Sequence, residues 1–135
     1  MREIKFRAWD KINKLISSVT ILDFADFNRE VSILNSKGHF NCLMYDIELM
    51  QYTGLKDSKC VEIYEGDIMQ GTSYEDKTIK GFVTYRSGSF YVDWSSCNYP
   101  PQLLFLSHDE DEVIGNIYKN KNLLKETELV TKIKI

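Results

Sequence analysis

Residues 81–94 restrict the fold more than any other part of the chain. Ser87-Gly88 stands between two runs rich in β-branched and aromatic side chains, which reads as two strands joined by a two-residue hairpin loop. Such a loop pairs Arg86 with Ser89, Tyr85 with Phe90, Thr84 with Tyr91 and Val83 with Val92. Residues directly opposite one another share a face. Val83, Tyr85, Phe90, Val92 and Trp94 therefore form one side, and Phe82, Thr84, Arg86, Ser89, Tyr91 and Asp93 the other. The first side is almost wholly apolar and is expected to be core. A slip of one residue would turn it to solvent, so the register is tightly specified. Trp94 falls opposite Gly81, where a large ring can cover bare backbone.

The rest of the chain repeats this grammar less cleanly. In the opening strand Ile4, Phe6 and Ala8 point one way, and Glu3, Lys5, Arg7 and Trp9 the other. Asp10-Lys11-Ile12-Asn13-Lys14 reads as a turn, residues 15–22 and 31–34 as apolar strands, and Ser36-Lys37-Gly38 as another turn. Leu43, Tyr45, Ile47 and Leu49 make one apolar side of a further strand. Met44 and Met50 add apolar bulk to its other side, as in a strand covered on both faces. The glycines stand singly, and Pro100-Pro101 marks a loop. No long helical period precedes residue 120. Leu123-Leu124-Lys125-Glu126 is compatible with a short helix, with Asn120 as its cap. The expected fold is mostly β, built of antiparallel sheets, and 135 residues suit one domain.

Charge and composition narrow the function classes. Seventeen basic residues face 20 acidic ones, a net charge of −3, so the chain lacks the basic footprint of a nucleic-acid-binding domain. The segment Met1-Arg2-Glu3-Ile4-Lys5-Phe6-Arg7 has no apolar core of a secretory signal, and no apolar run reaches the roughly 20 residues that span a bilayer. A cytoplasmic protein with no membrane partner is expected. Cys42, Cys60 and Cys97 are odd in number and widely spaced, which reads as reduced thiols.

Three blocks taken together carry a resemblance. They are Arg2-Glu3-Ile4-Lys5-Phe6-Arg7-Ala8-Trp9-Asp10; then Met50-Gln51-Tyr52-Thr53-Gly54-Leu55-Lys56-Asp57 running on through Glu62-Ile63-Tyr64-Glu65-Gly66-Asp67-Ile68; and Val113-Ile114-Gly115-Asn116-Ile117-Tyr118. In this order they resemble the YopX family, small proteins carried by phages and prophages of Gram-positive bacteria. The resemblance implies a single YopX-like domain over residues 1–135, with coiled antiparallel sheets that include an SH3-like barrel. It implies no activity. Lys59 and Cys60 stand where family members often have an Asn-Gly turn, and cysteine meets a steric cost at positive φ that glycine does not. Asn120-Lys121-Asn122 stands where an Asn-Pro-Glu is frequent, which removes the proline that favours a helix start. Gly54, Asp57, Gly66, Asp67, Gly115 and Asn116 read as fold-specifying: Gly66 for a sharp entry into the next strand, Asp67 for a bond to nearby backbone, Gly115-Asn116 for a bend or bulge.

Signatures of catalysis are sparse. No Gly-x-Ser-x-Gly elbow and no glycine cluster before a helix is present. His39 and Cys42 have a ligand-like gap, but no second pair follows, and His108 lies far from Cys97, so neither a metal site nor a cofactor is expected. Asp109-Glu110-Asp111-Glu112 lacks the punctuated spacing of a calcium loop and reads as a solvated acidic surface. Lys5, Arg7 and Trp9 recur at every second position, a strip that could hold a single-stranded backbone and stack a base. The competing reading packs Arg7 and Trp9 on a second layer or on each other.

Two functions follow as expectations. The first is a non-enzymatic phage accessory protein that binds an unidentified protein or its own copies. The alternative is a module that binds single-stranded nucleic acid weakly through Lys5, Arg7 and Trp9. A hydrolase assembled from scattered residues is a third reading, since barrel sites need no local motif.

Overall fold

The structure is a computed structural model that describes residues 2–25 and 30–124. Its backbone contacts divide the chain into two compact units, one ending at Tyr52 and one beginning at Thr53.

The first unit is a sheet of antiparallel strands. β1 (Phe6–Asp10), β2 (Leu15–Leu22), β3 (Glu30–Asn35), β4 (Gly38–Leu43) and β5 (Ile47–Lys56) lie in the order β4-β3-β2-β1-β5. Both expected turns form. Asp10 Oδ1 accepts from the backbone N–H of Ile12 and Asn13, and Lys14 closes the reversal at φ 59°. Such Asx geometry is the usual way an aspartate sets a tight turn. Ala8, Val31, Ile33 and Ile47 form the core of this unit, and burying each large aliphatic side chain contributes roughly 1.5–3 kcal/mol.

One expected strand is broken. Met44–Asp46 is a short 3-10 turn between β4 and β5, and Tyr45 stands exposed rather than on the apolar side. Beyond the turn the expectation holds, with Ile47 and Met50 buried on opposite sides of β5. Ile4 precedes β1 and is exposed, so it does not extend the inward face of Phe6 and Ala8.

The second unit contains β6 (Glu62–Tyr64), which neighbours the end of β5, and a five-stranded sheet. That sheet joins β7 (Asp67–Thr72), β8 (Thr78–Arg86), β9 (Ser89–Asp93), β10 (Gln102–Leu103) and β11 (Glu112–Asn116) in the order β10-β9-β8-β7-β11. The β8–β9 register matches the sequence-derived one pair for pair, from Val83 opposite Val92 to Arg86 opposite Ser89. Ser87 and Gly88 both take positive φ, at 52° and 83°, the turn whose twist suits a hairpin. Val83, Val92 and Trp94 join Ile63, Met69, Ile79 and Leu104 in the core. Tyr85 does not: it is 53% exposed near the hairpin tip, where it meets Phe90 edge-on at 5.1 Å. The face is apolar to its end, but the body it covers stops short of the tip.

A single helical turn, α1 (Leu104–Ser107), buries Leu104 and leaves Phe105 and Leu106 exposed. A helical segment begins at Asn122; the expected continuation through Lys125 and Glu126 lies outside the described residues. Asn120 does not serve as the simple cap expected there. Its side-chain oxygen accepts from the Asn116 N–H, while its backbone carbonyl takes the Leu123 N–H.

Candidate functional site

The basic-aromatic strip comes apart in three dimensions. β1 lies between β2 and β5, and Ala8, Trp9 and Asp10 are all buried in succession. Consecutive burial in a strand means both faces are covered, because successive side chains point to opposite sides. Trp9 is 8% exposed and offers no solvent-side stacking surface. Lys5 uses its charge locally, 3.1 Å from Glu3 Oε1 and 4.9 Å above the Tyr52 ring. Arg7 is half-buried. The cation–aromatic pair therefore exists, with Tyr52 rather than Trp9 as its ring.

Asp57 and Asp67 both accept hydrogen bonds from β11. Asp57 Oδ1 accepts from the N–H of Lys59 and Val61, and Oδ2 accepts from Val113. Burial alone would raise its pKa. The backbone donors of Val113, Val61 and Lys59, with the Lys59 charge, outweigh that and hold it below the ordinary value. The turn it braces places Cys60 at φ 64°, without a glycine. Asp67, also buried, accepts from Tyr64 N–H through Oδ2 and from Asn116 Nδ2 through Oδ1. Gly54 and Gly66 take φ 83° and 82°, a region closed to most side chains. Gly66 donates its N–H to Val83 and accepts from Ile117. The expected bulge falls in β11, where the register shifts between Val113 and Gly115. A Cβ on Gly115 would come within 2.7 Å of Asn120 Oδ1. These residues bind backbone to backbone and offer no reactive group to solvent.

The acidic run is not uniformly solvated. Asp111 is 5% exposed and its Oδ2 has no hydrogen-bond partner. Burial pushes its pKa up, and the Glu110 and Asp109 charges add to that; the neighbouring Ser107 hydroxyl, short of hydrogen-bond geometry, and His108 pull the other way. Glu112 instead pairs with Lys59 at 2.9 Å on the surface. The histidines and Cys97 have separate partners: His39 Nε2 meets Thr20 Oγ1, His108 Nδ1 donates to the Lys56 carbonyl, and Cys97 Sγ lies 3.5 Å from both Lys80 N and Lys80 O. The three cysteines are free thiols. Among the described residues no three potential ligands gather into a metal site, and no helix is long and apolar enough to cross a membrane.

What the sequence did not single out is an aromatic pocket in the second unit. The β7–β8 turn carries Tyr74 at its tip, 86% exposed. The Tyr74 ring stands edge-on to Tyr99, with centroids 5.6 Å apart and planes at 87°. Trp94 and Pro100-Pro101 complete a cavity of about 320 Å³. The turn is rigidly framed: Ser73 Oγ accepts from Glu75 and Lys77 N–H, and Tyr99 Oη donates to Glu75 Oε1. Trp94 itself is 3% exposed, and its Nε1–H finds no acceptor, although a buried donor is ordinarily satisfied. Tyr74, Tyr99 and Pro100-Pro101 all lie in sequence where apolar periodicity is absent. Only the pairing of β7, β8 and β9 brings them together.

The architecture has solved counterparts. The crystal structure of protein EF1440 from Enterococcus faecalis superposes with a TM-score of 0.63 at 28% identity, over 92% of this chain and 99% of that one. Protein yopX from Bacillus subtilis superposes at 0.59 with 22% identity, over 91% and 98%, a likeness of fold. No curated protein matches the chain. The family model described as YopX protein matches residues 5–125, and the chain belongs to the YopX family.

Proposed function

We propose that this protein is a non-enzymatic phage accessory protein, working in the host cytoplasm, that binds another protein through the aromatic pocket of its second unit. In this reading the five-stranded sheet is the SH3-like element that the family resemblance implies. The observation that carries it is the pocket of about 320 Å³ walled by Tyr74, Trp94, Tyr99 and the two prolines. Aromatic side chains bring large contact area at low entropic cost and are enriched at the centres of interfaces. Exposed Leu103, Phe105 and Leu106 follow directly in the chain after the pocket residue Gln102, and apolar surface of this kind marks contact sites. The lining holds no His, Cys, Asp, Glu or Lys, so it supplies no general base or charged nucleophile for catalysis. The nucleic-acid reading loses its stacking platform with Trp9 buried.

Capture from lysogenic host cells tests this. The wild-type chain is expected to retain a partner in defined stoichiometry. Tyr74→Ala, with an unchanged circular dichroism spectrum, is expected to lose it. A partner held equally by the variant would place the contact elsewhere and reject the reading.

A further inference from the structure

We propose that the occupant of the aromatic pocket is a proline-rich segment in the polyproline II conformation, flanked by basic residues. The inference rests on the pocket being the contact surface, and it adds the chemistry of what enters.

Size comes first. A cavity of about 320 Å³ sits near the lower limit of small-ligand pockets and accepts two or three side chains. An amphipathic helix about 10 Å across, docking anchors from two turns, needs a longer groove. Strand addition needs a free row of backbone groups, and the strand edge at this lining is the two-residue β10. Shape comes next. Tyr74 and Tyr99 stand nearly perpendicular at 5.6 Å, and Pro100-Pro101 lines the same cavity. Flat, angled walls of this kind suit pyrrolidine rings, and a polyproline helix enters with its conformation already set, so little entropy is lost.

Hydrogen bonding supplies an independent argument. Trp94 lines the pocket, is almost wholly buried, and has an Nε1–H with no acceptor. Proline contributes carbonyls and no N–H, and a polyproline helix leaves those carbonyls free of internal bonds. It therefore offers the one group the indole lacks. The Nε1 atom is closed to solvent here, so bonding the carbonyl requires side chains of the lining to shift.

Charge sets the flank. Glu75 and Asp76 are exposed on the turn that carries Tyr74, and the chain as a whole is at −3. Glu75 is shared with Lys77 at 3.5 Å and with Tyr99, which leaves Asp76 as the turn's unshared carboxylate. Lysine or arginine beside the proline run complements it.

The test titrates the full chain with a lysine-flanked Pro-Pro-Ala-Pro-Pro peptide, following the Trp94 indole N–H by NMR. Saturable movement of that resonance is expected. A peptide with glycine for each proline should bind at least about tenfold more weakly, and so should the proline peptide to Tyr74→Ala. Trp94→Phe keeps a ring and removes the N–H. It should weaken binding about fivefold, the worth of one net hydrogen bond, and lower the thermal midpoint because the smaller ring leaves a cavity in the core, so binding is compared at a temperature where both proteins are folded. Equal binding of the proline and glycine peptides, or no binding of either, overturns the inference. If neither binds while Tyr74→Ala still loses its partner in the capture experiment, the pocket remains the contact surface and only the polyproline occupant is rejected. A dimer that Tyr74→Ala dissociates, with no peptide binding, assigns the pocket to a second copy and likewise rejects it.

Discussion

Asp57 and Asp111 lie in the same unit, each 5% exposed, and burial drives the pKa of both upward. They differ in what meets the charge. Asp57 receives three backbone N–H groups and ends below its ordinary value. Asp111 has an unpartnered Oδ2 and like charges beside it, and ends above. A carboxyl whose folded pKa is raised costs stability when ionised: the cost is absent below the unfolded value of 3.8, grows as pH rises through the folded value, and is complete at neutral pH. Asp111→Asn keeps the shape and removes the charge. It is expected to be more stable than the wild type at pH 7 and to converge with it in acid. Urea unfolding at a series of pH values measures this. A variant less stable at neutral pH would mean that the ionised carboxylate has a partner after all. Nothing in Asp109-Glu110-Asp111-Glu112 distinguishes Asp111 from its neighbours. The distinction comes from the α1 turn and from Ser58, whose N–H donates to the Asp111 carbonyl.

At the scale of elements, the β8–β9 hairpin was fully legible because its information is local: turn chemistry, alternation and register agree within fourteen residues. Its tightest requirement is Gly81. A Cβ there would come within 2.4 Å of the Asp93 carbonyl oxygen and 2.7 Å of Trp94 Cε3. Gly81→Ala is therefore expected to cost roughly 2–4 kcal/mol, as overpacked core sites do. The result should appear as a lower urea midpoint at unchanged slope. Gly88→Ala at the open turn, where no atom lies within 4 Å of the added methyl, should lose only the positive-φ preference, about 1 kcal/mol. Equal losses at the two positions would contradict the close approach. β1 was less legible. Its alternation is correct, but alternation alone leaves open whether Trp9 stacks in solvent or packs inside, and the structure buries it. The break at Met44–Asp46 was hidden for a related reason: Tyr45 keeps the apolar period while the backbone leaves the strand. The aromatic pocket left no periodic trace, since Tyr74 and Tyr99 meet only through three-strand pairing.

Across the whole molecule, each unit has its own core and its own buried, depressed aspartate. In the first unit Asp10 is 1% exposed. Burial pushes its pKa up, but the side chain and N–H of Asn13, the N–H of Ile12 and the Asn35 amide together bring it below the ordinary value. Through these bonds Asp10 joins the β1–β2 turn to the end of β3. Asp57 joins the loop before β6 to β11 in the second. A carboxyl with a lowered folded pKa contributes stability that is complete above its unfolded value of 3.8 and is lost as pH falls through the folded value. Both units are thus expected to lose stability below about pH 4, opposed by the relief of Asp111. In urea titrations the unfolding free energy should be flat near neutrality and fall in that acid window. Asp10→Asn should lower stability at pH 7 by roughly 1–3 kcal/mol, since an amide cannot accept all the donors that converge there. It should also flatten the acid fall, with amide protons of the first unit reporting the change and those around Asp57 retaining the wild-type slope. An acid profile for Asp10→Asn that parallels the wild type throughout would show that this carboxylate is not a source of the pH dependence.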